Sequence, residues 1–255
     1  MRVRQLAVLV SLLAVAPLPL ARSAAAQAPG KFPPDSLVNT KVFPHDTPVT
    51  EVLGAMRGFT TALGVRCGFC HVGKEGAPIS SYDFPSDEKR TKRTARQMML
   101  MVAEVNRRLD TLPERKNPGG LSVTCNTCHR GVNRPVPLSM YVSDVALSAG
   151  TDSAIKTYRA LRERYYGRDS YDFGEPSLNA AAFRLAQAGK FDEALALLKL
   201  NEEQFPKTAS TYVFRGNVML LRADTNAAAD AFREAIRRDS TNFEARQRLR
   251  AIGRP

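Results

Sequence analysis

Apolar positions after residue 47 recur at helical spacing, and no stretch carries a strand pattern. Val49, Val52, Leu53, Met56 and Leu63 share one face at steps of three, four and seven, which predicts a first helix. Thr47 as N-cap, Pro48 at the first helical position and Glu51 in the first turn start it, and Gly64 ends it. A second helix is predicted from about Asp87 to Leu112. Its stripe is Met98, Met101, Val102, Val105 and Leu109, with Met99 turned about 100° away. Both helices are expected to present methionine on their buried side. "NPGG" at 117–120 then breaks the chain. The expected fold class is all-α.

The Ala- and Leu-rich stretch 151–255 repeats with a period of 34, placing Ala194 on Ala228, Leu198 on Phe232 and Pro206 on Ser240. A small residue, a larger apolar one four positions on and a proline near the end match the tetratricopeptide pattern. "FEARQRLRAI" reads as the helix closing the last repeat, and "SAIKTYRALRERYYG" as a helix stacked in front of the first. This tail resembles the tetratricopeptide modules appended to varied exported bacterial proteins, which implies docking of protein partners.

Composition changes the picture at the start of the chain. Residues 1–26 have Arg2 and Arg4, an apolar run from Leu6 to Leu20 and small residues ending in "AAA" at 24–26, the layout of a secretory signal peptide. Pro17, Pro19 and a run of about 15 residues, against the ~20 a spanning helix needs, disfavour a membrane anchor. No cysteine follows the run to carry a lipid, and no later segment is apolar enough to span a bilayer. The expected location is therefore periplasmic or otherwise exported. The formal charge is +12, and removing residues 1–26 takes away three arginines, leaving +9. A basic surface favours acidic partners; export argues against nucleic acid.

The chemistry sits in "VRCGFCHVG" (65–73) and "VTCNTCHRG" (123–131), which use all four cysteines of the chain. A disulfide between cysteines three apart closes a tiny loop and adds little stability. A thioredoxin-type redox centre needs a βαβ unit. Zinc gives no reason for a histidine behind each pair. Covalent haem accounts for every position: two thiols add across the two vinyl groups, and the next residue offers imidazole to the iron. The reading is two covalently bound c-type haems, held by Cys67, Cys70, Cys125 and Cys128, with His71 and His129 as axial ligands. For the opposite faces the candidates are Met56, eleven residues before Cys67, the cluster Met98, Met99 and Met101, and the remaining histidine, His45, in a proline-flanked loop. Thioether sulfur suits iron and raises its potential.

"AMRGFTTALGVRCGFCHVG" and "RTARQMMLMVAEVN…VTCNTCHRG" resemble the helix–turn–haem units of the photosynthetic reaction-centre cytochrome c subunit family over residues 38–137. The resemblance implies Met56 opposite His71, Met98 opposite His129, Met101 as packing, and a local pseudo-symmetry bringing the haems close. Well-known members carry four haems, whereas this chain has two motifs and a repeat tail. The expected organisation is signal peptide 1–26, extended lead-in 27–46, di-haem domain 47–137, linker 138–150 and tetratricopeptide-like domain 151–255. The expected function is non-enzymatic electron transfer between redox proteins, a reaction centre or another membrane electron-transfer complex among them. A di-haem peroxidase and a zinc-binding tetratricopeptide adaptor are the alternatives.

Overall fold

The computed structural model describes residues 31–112 and 122–254. The expected export segment and the "NPGG" break lie outside the described residues. Every regular element among those described is a helix; the one β-feature is an isolated antiparallel bridge between Val72 and Asp83.

α1 spans Val49–Leu63. Thr47 does not cap it. Pro48 is itself the N-cap, at ψ 137°, and its carbonyl accepts the Glu51 and Val52 amides. An extended ψ cannot start a helical turn, so the proline stands one place earlier than expected. Gly64 ends the helix at φ 65°. Glycine is required there twice over, because a Cβ would also fall 2.1 Å from the Gly131 carbonyl oxygen. α2 (Cys67–Cys70) is a single turn, followed by a 3-10 turn at Ile79–Ser81. α3 (Arg90–Leu109) begins three residues later than its sequence pattern suggests. Asp87 is held outside it by Lys41 (2.9 Å), Arg96 (2.7 Å) and Lys92 (3.2 Å). α4 (Cys125–His129) is again a single turn.

The remaining helices are α5 (Leu138–Ala149), α6 (Thr151–Tyr165), α7 (Glu175–Gln187), α8 (Phe191–Gln204), α9 (Ser210–Leu221), α10 (Thr225–Arg238) and α11 (Phe243–Ala251). They form a ladder of helix pairs: α5 with α6, α7 with α8 and α9 with α10. Within the ladder α5 lies on α7, α7 on α9, and α6 on α8, while α11 covers α10. This packing is that of a tetratricopeptide-like repeat region. The small residue of each second helix packs fully, as does its larger partner: Ala194 with Leu198 and Ala228 with Phe232 are all buried. The turns repeat as well, since Gly189 (φ 75°) and Ala223 (φ 65°), 34 residues apart, share a left-handed conformation.

Residues 138–150 are not a linker. Leu138–Ala149 form α5, which buries Leu138, Val142 and Ala146 in the same core as α7 and α8. Gly150, at φ 85°, alone separates α5 from α6, so the two fold back as a pair. The sequence held a signal for this. Ala154 and Tyr158, both buried, repeat the small–large step of the later pairs, but 40 residues before Ala194 rather than 34. The loop from Tyr166 to Gly174, longer than that between α8 and α9, accounts for most of the offset.

Candidate functional site

Both cysteine pairs sit on one helical turn, which sets their thiols on the same side. All four are free thiols: Cys67, Cys70 and Cys125 are half-buried and Cys128 is exposed. Burial pushes the Cys70 thiol pKa up, with the Lys89 charge opposing. Thr124 and Thr127 close a capping box around the second turn, exchanging side-chain and backbone hydrogen bonds.

The two motifs are packed reciprocally. α4 of the second motif lies on α1, the helix that precedes the first; α2 of the first motif lies on α3, the helix that precedes the second. The Gly131 amide donates to the Ala62 carbonyl at 2.8 Å, and Lys89 Nζ and Thr91 Oγ1 donate to the Gly68 and Phe69 carbonyls inside the first motif. The reciprocity holds for the elements alone: α1 is met at its C-terminal end and α3 at its N-terminal end.

The histidines differ in their surroundings. His129 Nδ1 stands 2.8 Å from the Val132 carbonyl, which orients the ring and leaves Nε2 available. The next residue, Arg130, is left-handed at φ 47°, and its carbonyl accepts from Ser170 Oγ at 2.7 Å. His71 packs edge-on against Phe84 at 4.9 Å, and its buried Nδ1 has no hydrogen-bond partner among the described residues. Burial lowers the His71 pKa, the Lys92 charge lowers it further, and the Phe84 carbonyl pulls it back. That carbonyl already accepts from Lys92 Nζ at 2.8 Å, as do those of Pro85 (2.9 Å) and Ser86 (2.8 Å).

Among the methionines Met56 and Met99 are half-buried, whereas Met98 and Met101 are 40% and 50% exposed. No residue of α3 is buried by protein, and among the helices only α2 packs on it closely. His45 is exposed, with Nδ1 3.2 Å from Thr40 Oγ1. Sequence reasoning passed over Tyr82, Phe84, Lys89 and Lys92, which build the wall around the first motif. The aromatic pair in "SYDFP" was the available sign.

These residues fit two c-type haems. Each motif offers two free thiols on one turn with an imidazole behind them, and His129 carries the carbonyl contact typical of a metal-bound ring. Before Leu138 the described chain buries only Val52, Ala62 and Val132 among its apolar side chains. The helices carrying Met56 and Met98 thus leave apolar faces that a porphyrin could cover. The four cysteines do not converge: no group of three or more His, Cys, Asp or Glu side chains comes together among the described residues. One zinc site made from both pairs is incompatible with that spacing.

A family described as photosynthetic reaction centre cytochrome C subunit matches residues 77–164, about a third of the chain. The match takes in the second motif and begins after the first. No curated protein sequence matches the chain. Two solved structures share 19% identity with it, over 46% of this chain and 87% of theirs: the first TPR of Spaghetti (RPAP3) bound to an HSP90 peptide, at a TM-score of 0.31, and the first TPR domain of human RPAP3, at 0.32. At those scores the likeness carries no weight, and the repeat assignment rests on the helix pairs themselves. No helix among the described residues is long and apolar enough to cross a membrane.

Proposed function

We propose that the chain is an exported electron carrier with two covalently bound c-type haems and a repeat array that docks its protein partners. The observation that supports it most is the pair of Cys-x-x-Cys-His turns in a segment whose helices leave their apolar faces uncovered. Cys67, Cys70, Cys125 and Cys128 would hold the porphyrins by thioether bonds, with His71, His129, Met56 and Met98 as the ligands offered to the irons. The groups so bound supply one-electron ferric–ferrous cycling. The protein's own part is to keep both ligands in place, exclude water and set the potential through ligand and charge. The partial match to reaction-centre cytochromes supports a redox-protein partner, and the positive surface suits an acidic docking face.

The test is a pyridine haemochrome assay with intact-mass measurement, on protein exported from a host competent for c-type maturation. Two haems per chain are expected; a mass without that gain overturns the reading. Met98→Ala should turn the second haem high-spin with the first unchanged, and an unaltered spectrum would remove Met98 from the ligand set. A high-spin, ligand-accessible haem in the unmodified protein would favour the peroxidase.

A further inference from the structure

The two histidines are bonded differently, and their difference has a direction. His129 Nδ1 faces the Val132 carbonyl at 2.8 Å, and this contact makes the imidazole a stronger donor to a metal. The carbonyl beside His71, that of Phe84, accepts from Lys92 Nζ at 2.8 Å and pulls the His71 pKa up, but it completes no hydrogen bond with His71 Nδ1, which is buried without one. A weaker imidazole donor stabilises ferric iron less and leaves the potential higher. The charges act in the same sense. Lys89 donates to the carbonyl of Gly68, between Cys67 and Cys70, and the Lys92 side chain is 12% exposed, its Nζ donating to the Phe84 carbonyl. Positive charge held that close to a redox centre favours its reduced state. Asp87 offsets part of this, being shared with Lys41, Lys92 and Arg96, and Asp83 lies on the same loop. Behind the second motif is a cleft of about 790 Å³, whose charged lining of Arg130, Arg168, Asp169 and Asp172 is balanced.

We propose that the His71 site holds the higher-potential iron, that Lys89 and Lys92 set this order, and that electrons pass within the molecule from the His129 site to the His71 site. The proposal rests on the haem reading above. With haem held at both sites the step would move one electron, oxidising the iron held by His129 and reducing that held by His71, and would exchange no bond or proton.

Spectroelectrochemical titration of the purified holoprotein tests it. Two components are expected. Lys89→Gln should lower the upper midpoint and leave the lower one in place, and Lys89→Arg should restore the upper. Lys92→Met should lower the same component, with circular dichroism reporting whether the chain has folded. A shift confined to the lower component in Lys89→Gln, or no shift in either, overturns the order. Intact mass separates the two levels: absence of haem defeats the carrier reading itself, whereas two haems with the wrong component responding defeats only the proposed order.

Discussion

Gly216 shows how far a single side chain can be dictated by its neighbour. A Cβ there would fall 2.3 Å from Cε1 of Phe232, a ring with no exposed surface and nowhere to move. One repeat earlier the equivalent positions are Ala182 and Leu198, so the smaller A-helix residue faces the larger B-helix one in each case. Gly216→Ala is expected to cost about 1–3 kcal/mol by overpacking. Adding Phe232→Leu should recover part of the loss, giving a non-additive cycle in denaturant unfolding. Additive losses would mean that the two positions do not share their space. The same logic of size and contact governs the first motif, where Tyr82 lies against Gly73 closely enough that a Cβ would sit 2.5 Å from its ring.

Among the elements, α3 is positioned through its N-terminal end. Arg96 and Lys41, with Asn39 beside them, hold the Asp87 carboxyl well below the usual carboxylate range, against the opposing effect of burial. Asn39 in turn donates to the Pro85 carbonyl at 2.6 Å, and its own carbonyl accepts from Arg96 at 2.9 Å. The lead-in is thereby tied to the loop beside His71. A carboxyl whose folded pKa is depressed stabilises the fold fully above its unfolded value of about 3.9, and that contribution declines as pH falls further, until the folded carboxyl is itself protonated. NMR shifts of residues 39–41 should therefore move toward unfolded values in acid. Asp87→Asn should produce the same change already at neutral pH and remove the acid step. An unchanged profile would show that Asp87 does not anchor the lead-in.

At the scale of the whole molecule the two halves are stabilised differently. From Leu138 onward the helices cover one another around a continuous core, and α5 is part of it. A chain of residues 136–254 should fold cooperatively. One of residues 151–254 loses Leu138 and Val142, each worth about 1.5–3 kcal/mol on full burial, and should melt at lower temperature and less sharply. Equal melting of both would return residues 138–150 to the role of a linker. The described residues before Leu138 have no comparable core, and they meet the array where Ser170 donates to the Arg130 carbonyl beside His129.

The all-α class and the period of 34 could be read from residue spacing, because helical periodicity is a local property of the chain, and the Cys-x-x-Cys-His order that singles out the candidate haem residues is local too. Local pattern also carried the end of α1 at Gly64, where left-handed backbone favours glycine. It did not carry the pairing of α5 with α6, since a displaced repeat and a one-residue break at Gly150 hide a helix that only burial reveals. Nor could it show that each cysteine turn packs on the helix of the other unit, or that Lys92 occupies the carbonyl beside His71 while Val132 serves His129. Those contacts join residues far apart in sequence, and hydrogen bonding and steric fit in three dimensions decide them.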